Sequence, residues 1–231
     1  MTAKAQDHAV PELLDTERLF ETALVRRSRG NIYRKGGKRL LDVICVALMA
    51  LPAIVLVLPF LALLSLDGHS PFYRQKRVGR DGRVFDMWKL RSMVPDADRM
   101  LEAHLAANPD ARAEWEWSQK LRDDPRITPI GRFIRKSSID ELPQLWNVLT
   151  GDMSLVGPRP MTPEQRELYP GLAYYALRPG ITGYWQTSVR NESSFAERAL
   201  HDTRYFRELS FGTDLKVLLR TVRVVLNATG R

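Results

Sequence analysis

Two carboxylates, Asp140 and Glu141, stand side by side in the stretch SSIDELPQLWNVLTGDMSLVGPRP, Ser137 to Pro160. An ionised carboxylate can act as a nucleophile toward phosphorus. Its neighbour can hold Mg2+, a hard cation that takes one or two carboxylates together with phosphate oxygens. The metal would offset repulsion between an anionic nucleophile and an anionic diphosphate. Arg159, fixed between Pro158 and Pro160, offers a planar guanidinium for bidentate phosphate contact, and Lys89 and Arg91 are further cations. The acidic pair also has a purely local explanation, in which Asp140 caps a helix and Glu141 complements its dipole. No Ser/His/Asp arrangement or P-loop competes for the chemistry.

The elements that must position these residues can be read from their breakers. Asp140 as an N-cap, with Pro143 in the first turn, opens a helix through LPQLWNVL that closes at Thr150-Gly151. The free N–H groups of that helix start would hold the Asp140 carboxylate ionised and draw a phosphate to it. Upstream, FYRQKRVGRDGRVFDMWKLRSM carries turn residues at Gly79 to Gly82 between two alternating runs, the pattern of a β-hairpin. Its excess of Arg and Lys, directly after an apolar segment, suits anionic headgroups and phosphate. Pro95 to Leu121 reads as helix with a break at ANPD, and Thr128-Pro129 as a cap opening a short basic helix through IGRFIRK. Ser194 and Glu197 have capping-box spacing before a helix that runs past Asp202 and Tyr205. Thr213 starts a last helix, to about Leu226, with Lys216, Arg220 and Arg223 opposite Leu215, Leu218, Val222 and Val225, the pattern of a helix packed on the core or resting on a membrane surface. The class is α+β, mostly helical.

From Leu40 to Leu66 the chain is almost wholly apolar, longer than the ~20 residues that cross a bilayer as helix. Both flanks are basic: Arg26, Arg27, Arg29, Arg34, Lys35, Lys38 and Arg39 lie before it, and Arg74, Lys76, Arg77, Arg80 and Arg83 after it. Basic residues mark cytoplasmic flanks, so a segment that enters and leaves by one face fits better than a straight span. Pro52 and Pro59 supply the kinks of such a re-entrant helical hairpin, although spanning helices also carry prolines. Asp42 is expected at the interface, ion-paired with Lys38 or Arg39. This divides the chain into a basic N-terminal segment, 1–37, a re-entrant helix, 38–68, and a cytoplasmic catalytic domain, 69–231.

The net charge of +8 over 231 residues favours anionic partners. A single cysteine, Cys45, leaves no thiol cluster for zinc and asks for no oxidising compartment.

Taken together, KRLLD, YRQKRVGRDGRVFDMWKLRSM, DPRITPIGRFIRKSSIDELPQLWNVLTGDMSLVGPRP, RPGITGYWQ, LHDTRYF and DLKVLLRTV resemble the bacterial sugar transferases of the monotopic phosphoglycosyl transferase type, in their short form. The resemblance implies a cytoplasmic site at the inner bacterial membrane and a ping-pong reaction between a UDP-sugar and polyprenyl (undecaprenyl) phosphate. Asp140 matches the nucleophile, which forms an aspartyl-phosphosugar and expels UMP. Glu141, with Asp140, matches the Mg2+ site. Arg159, Lys89, Arg91, Arg77, Gln186, Arg190 and Asp202 match substrate- and phosphate-binding positions, and Lys38, Arg39, Asp42 and Pro52 the membrane and structural ones. Exopolysaccharide initiation is the implied role, and a homo-oligomer is compatible with it. The chain departs from its relatives at Thr187-Ser188-Val189, where a glycine often precedes the arginine, and at Leu51-Pro52, where Ser-Pro is usual. Two other classes remain open at this level: an inactive membrane-tethered scaffold of a glycan-assembly complex, and a nucleic-acid binder. The second lacks any reading motif, so no nucleic-acid partner is expected.

Overall fold

The computed structural model describes residues 32–118, 121–187 and 197–226. One wider π-helical turn, Tyr33–Gly37, runs straight into helix α1, Lys38–Ser65. Strands β1, Phe72–Val78, and β2, Val84–Leu90, follow, then helices α2, Ala97–Ala107, and α3, Pro109–Ser118. Helix α4 spans Pro129–Lys136, a 3-10 turn spans Ile139–Glu141, and α5 spans Gln144–Thr150. Strand β3, Ser154–Val156, and β4, Gly180–Thr182, frame a loop with two further 3-10 turns. Helices α6, Tyr184–Thr187, α7, Glu197–Glu208, and α8, Phe211–Leu226, complete the described chain. The mostly helical class is borne out.

The local signals act as expected. β1 and β2 pair antiparallel from Phe72↔Leu90 to Val78↔Val84. Gly82, at φ +75, takes the left-handed conformation the hairpin turn requires. Asn108 separates α2 from α3. Thr128 Oγ1 accepts the Gly131 N–H at 2.9 Å and Pro129 sits at the first helical position. Gly151, at φ +90, ends α5 in the left-handed conformation. The second sheet is parallel, with Ser154 opposite Gly180 and Val156 opposite Thr182.

Helix α1 touches the domain at both ends. At its start Val46 joins the main core with Met87, Val148, Leu155 and Val217, and at its end Leu64 packs with Leu90, Ile134 and Ile139. Between them Leu48, Leu51, Ile54, Val55 and Leu58 are exposed, the composition of a lipid-facing surface. The span Tyr33–Ser65 is long and apolar enough to cross a membrane. Pro52 and Pro59 lie inside the helix, and Leu51, Pro52, Val55, Leu56, Pro59 and Phe60 line an apolar hollow along it.

Two expectations need correction. Asp42 does not pair with Lys38 or Arg39 at an interface; it is buried and accepts hydrogen bonds from Ser154 Oγ at 2.8 Å and Leu155 N at 3.0 Å. Lys38 pairs instead with Asp214 at 2.7 Å, and Arg39 donates to the carbonyls of Val148 and Leu149, capping α5. In α8 Asp214 and Val217 are buried and Leu218 packs against the main core, whereas Leu215, Leu219 and Val222 are exposed. Asp140, finally, is not the N-cap of α5. It lies in the preceding 3-10 turn, and the N-cap position of α5 is Pro143. The Ser194 part of the expected capping box and Arg190 fall outside the described residues.

Candidate active site

The Asp140 turn is pinned from below. Ile139 packs against Leu64, Leu90 and Ile134, and α4 is drawn onto the end of the hairpin so closely that a Cβ at Gly131 would meet the Ser92 carbonyl at 1.8 Å. Ser138, at φ 57, makes the reversal between α4 and the turn. A non-glycine residue in that region carries strain on the order of 1 kcal/mol. On the far side, Asn147 of α5 donates to the Asp86 carbonyl and accepts from Trp88 N at 3.0 Å, fixing α5 against β2.

These contacts bring Lys89, Asp140 and Glu141 together. Lys89 Nζ is 3.0 Å from Glu141 Oε1 and 3.8 Å from Asp140 Oδ2. Asp140 is 7% exposed, and its carboxyl is pushed up to about 6, by burial first and by the Glu141 charge, against the opposing pull of Lys89 and Arg135. At Asp140 desolvation therefore outweighs the stabilisation expected from backbone N–H groups at a helix start, and the shift runs opposite to that expectation. Arg135 is a residue sequence reading missed. Its Nε donates to Ser92 Oγ at 2.7 Å, and its charge acts on Asp140. Its place, five residues before Asp140 in a basic helix, was the available signal.

A second group forms around the Pro-Arg-Pro turn. Arg77 donates to the Pro160 carbonyl at 3.2 Å and to Gln75 Oε1 at 2.6 Å. Arg159 lies 5.5 Å from the Trp185 ring centroid, and Arg198, unforeseen from sequence, lies 4.3 Å from it. The turn depends on close backbone approach, since a Cβ at Gly157 would meet the Arg178 carbonyl at 2.3 Å and one at Gly183 the Gly157 carbonyl at 2.1 Å. Gln186 is buried beside Gly183. Asp202, also buried, accepts the Tyr169 hydroxyl at 2.7 Å. Arg91 faces elsewhere, donating to the Leu64 carbonyl at 2.5 Å and to Asp67 at 2.8 Å, where it closes the end of α1.

No group of three or more His, Cys, Asp or Glu side chains gathers among the described residues. A metal at this site would rest on Asp140 and Glu141 with substrate oxygens, which suits Mg2+ and not a caged transition metal.

Comparison with known proteins gives the family. The bacterial sugar transferase family model matches residues 33–228. The UDP-galactose-lipid carrier transferase of Erwinia amylovora is 49% identical over 187 residues, 78% of this chain and 39% of that protein. The undecaprenyl-phosphate galactose phosphotransferase of Salmonella typhimurium is 42% identical over 90% of this chain and 44% of its own length. The exopolysaccharide production protein ExoY of Sinorhizobium fredii is 42% identical over 89% of this chain and 93% of its own. The chain thus spans less than half of the first two relatives and nearly all of the third. The match covers the hairpin, the Asp140 turn and the Pro-Arg-Pro turn alike, and the chain belongs to the bacterial sugar transferase family.

Proposed function

We propose that the chain transfers a sugar 1-phosphate from a UDP-sugar to a polyprenyl phosphate at the cytoplasmic face of the bacterial inner membrane, opening the assembly of an exopolysaccharide or other surface glycan. The observation that carries this reading is a buried carboxyl, Asp140, within reach of Lys89 and adjoining Glu141. Relatives named for undecaprenyl-phosphate sugar transfer support the substrate classes.

In this mechanism the Asp140 carboxylate attacks the sugar-bearing phosphorus, and the bond from that phosphorus to the oxygen bridging to UMP breaks. UMP leaves with the bonding electrons. A phosphate oxygen of the polyprenyl acceptor then attacks the same phosphorus and displaces Asp140 as a free carboxylate. Lys89 holds the acidic pair and meets the donor's phosphate charge. Glu141 and Asp140 would hold Mg2+, which when bound supplies charge neutralisation at the diphosphate. Burial of Asp140 keeps water from the acyl phosphate.

The re-entrant topology is part of the proposal. A straight 28-residue helix would be about 42 Å long, yet both ends of α1 fasten to the same domain, at Ser154 and Val148 on one side and at Arg91 on the other. The internal prolines and the two basic flanks favour a bent helix that leaves by the face it entered. Release of UMP from a panel of UDP-sugars by reconstituted protein tests the activity and identifies the sugar. A scaffold without activity would release none from any of them.

A further inference from the structure

Among the described residues, strand β2 pairs with β1 alone. On its other edge the N–H of Trp88 and the carbonyl of Asp86 are met by one side chain, the amide of Asn147 in α5. Asn147 Oδ1 accepts from Trp88 N at 3.0 Å, and Nδ2 donates to the Asp86 carbonyl at 2.8 Å. The amide thus stands where a peptide unit of a third strand would, with one acceptor and one donor spanning a two-residue step. Asn147 is 2% exposed, so water does not compete for either bond. Its own carbonyl is tied as well, accepting Met153 N at 3.0 Å and Thr150 Oγ1 at 3.1 Å.

The two bonds join the elements that carry the reacting groups. Lys89 follows Trp88 in β2, and the Asp140–Glu141 turn leads through Pro143 into α5. Apolar packing also holds these elements together, through Met87 with Val148 and Leu90 with Ile139. Such packing resists separation but is non-directional. The amide is directional: a slip of β2 by one residue would present it with backbone groups that face β1.

Resting on the transferase reading, we propose that Asn147 is a positioning residue, whose amide sets the register of β2 against α5 and so places Lys89 against Glu141 and Asp140. Asn147 acts through Lys89 and not on the substrate. A misplacement of about 1 Å can cost a reaction ~100-fold, so its loss shows in the rate of phosphosugar transfer and not in the affinity for donor. The isostere separates shape from bonding. Asn147→Asp still accepts from Trp88 N but has no donor for the Asp86 carbonyl, which then faces a carboxylate.

The first readout needs no activity. A carbodiimide couples an ammonium directly to a carboxylate it touches, and peptide mass identifies a Lys89–Glu141 isopeptide in full-length protein in nanodiscs and metal-free buffer. Wild type should form it, and Asn147→Ala and Asn147→Asp at least fivefold less; Asn147→Ser serves if Asn147→Ala does not fold. In turnover both variants should lose at least tenfold in kcat with less than a threefold change in donor KM. In Lys89→Gln, adding Asn147→Ala should change kcat less than twofold, because the group it acts through is gone. Val148→Ala, a truncation in the core beside Asn147, should melt lower than wild type yet keep the isopeptide and kcat. Undiminished isopeptide in the folded Asn147 variants overturns the proposal, as do equal losses in Val148→Ala, a tenfold loss that persists in Lys89→Gln, or no isopeptide in wild type. An isopeptide lost with Asn147, in a protein that releases UMP from no donor, would support the positioning role and contradict the transferase reading.

Discussion

Lys89 Nζ lies nearer to Glu141 than to Asp140, 3.0 against 3.8 Å. The cation thus joins the two acids while leaving Asp140 the less neutralised of the pair, and burial then lifts Asp140 to about 6. A nucleophile must be ionised, so UMP release in the absence of acceptor should fall as pH drops through about 6. Lys89→Gln should move that midpoint upward, because the charge that favours the carboxylate is gone. A pH profile of single-turnover UMP release checks both; a flat profile between pH 5 and 7 would contradict the assignment.

Stability should carry the opposite sign. With its pKa raised from 3.8 in the unfolded chain to about 6 in the fold, Asp140 binds its proton more tightly when native. The native state is therefore penalised as pH rises through that window, by on the order of 3 kcal/mol above it. Asp140→Asn should melt at a higher temperature than wild type at pH 7.5, and the gain should shrink toward pH 4. A lower melting temperature at pH 7.5 would show that the carboxylate is held by interactions stronger than its desolvation.

Topology can be checked from exposed positions on either side of α1. In a protein with Cys45 replaced, single cysteines at Lys35 and Lys76 should both react only with reagents that reach the cytoplasm. Periplasmic labelling of either would make α1 a spanning helix.

Excess EDTA should abolish turnover and Mg2+ should restore it, and Glu141→Gln should lose at least about 100-fold in kcat while melting like wild type. Full activity in chelator would remove the metal-binding role from Glu141.

Much of the scaffold was written in local chemistry. Thr128-Pro129, Gly82, Asn108-Pro109 and Gly151 act within a turn or two of themselves, so their consequences can be read without a fold. Asp140 and Glu141 were visible as a pair, but the environment of Asp140 was not. Its burial depends on Ile139 meeting Leu64 and Leu90, far away in sequence. Asp42 was misplaced for the same reason, its partners being Ser154 and Leu155. Arg198 shows the limit most clearly: it is one of many arginines until α7 carries it to Trp185.

Covalent catalysis by Asp140 is measured most directly by protein and peptide mass after rapid quenching. With the matching UDP-sugar and Mg2+ but no acceptor, wild type should release about one equivalent of UMP and gain the mass of one phosphosugar on the peptide containing Asp140. Asp140→Asn should do neither. If UMP appears only when polyprenyl phosphate is added, and no adduct is trapped, transfer is direct and Asp140 is not the nucleophile.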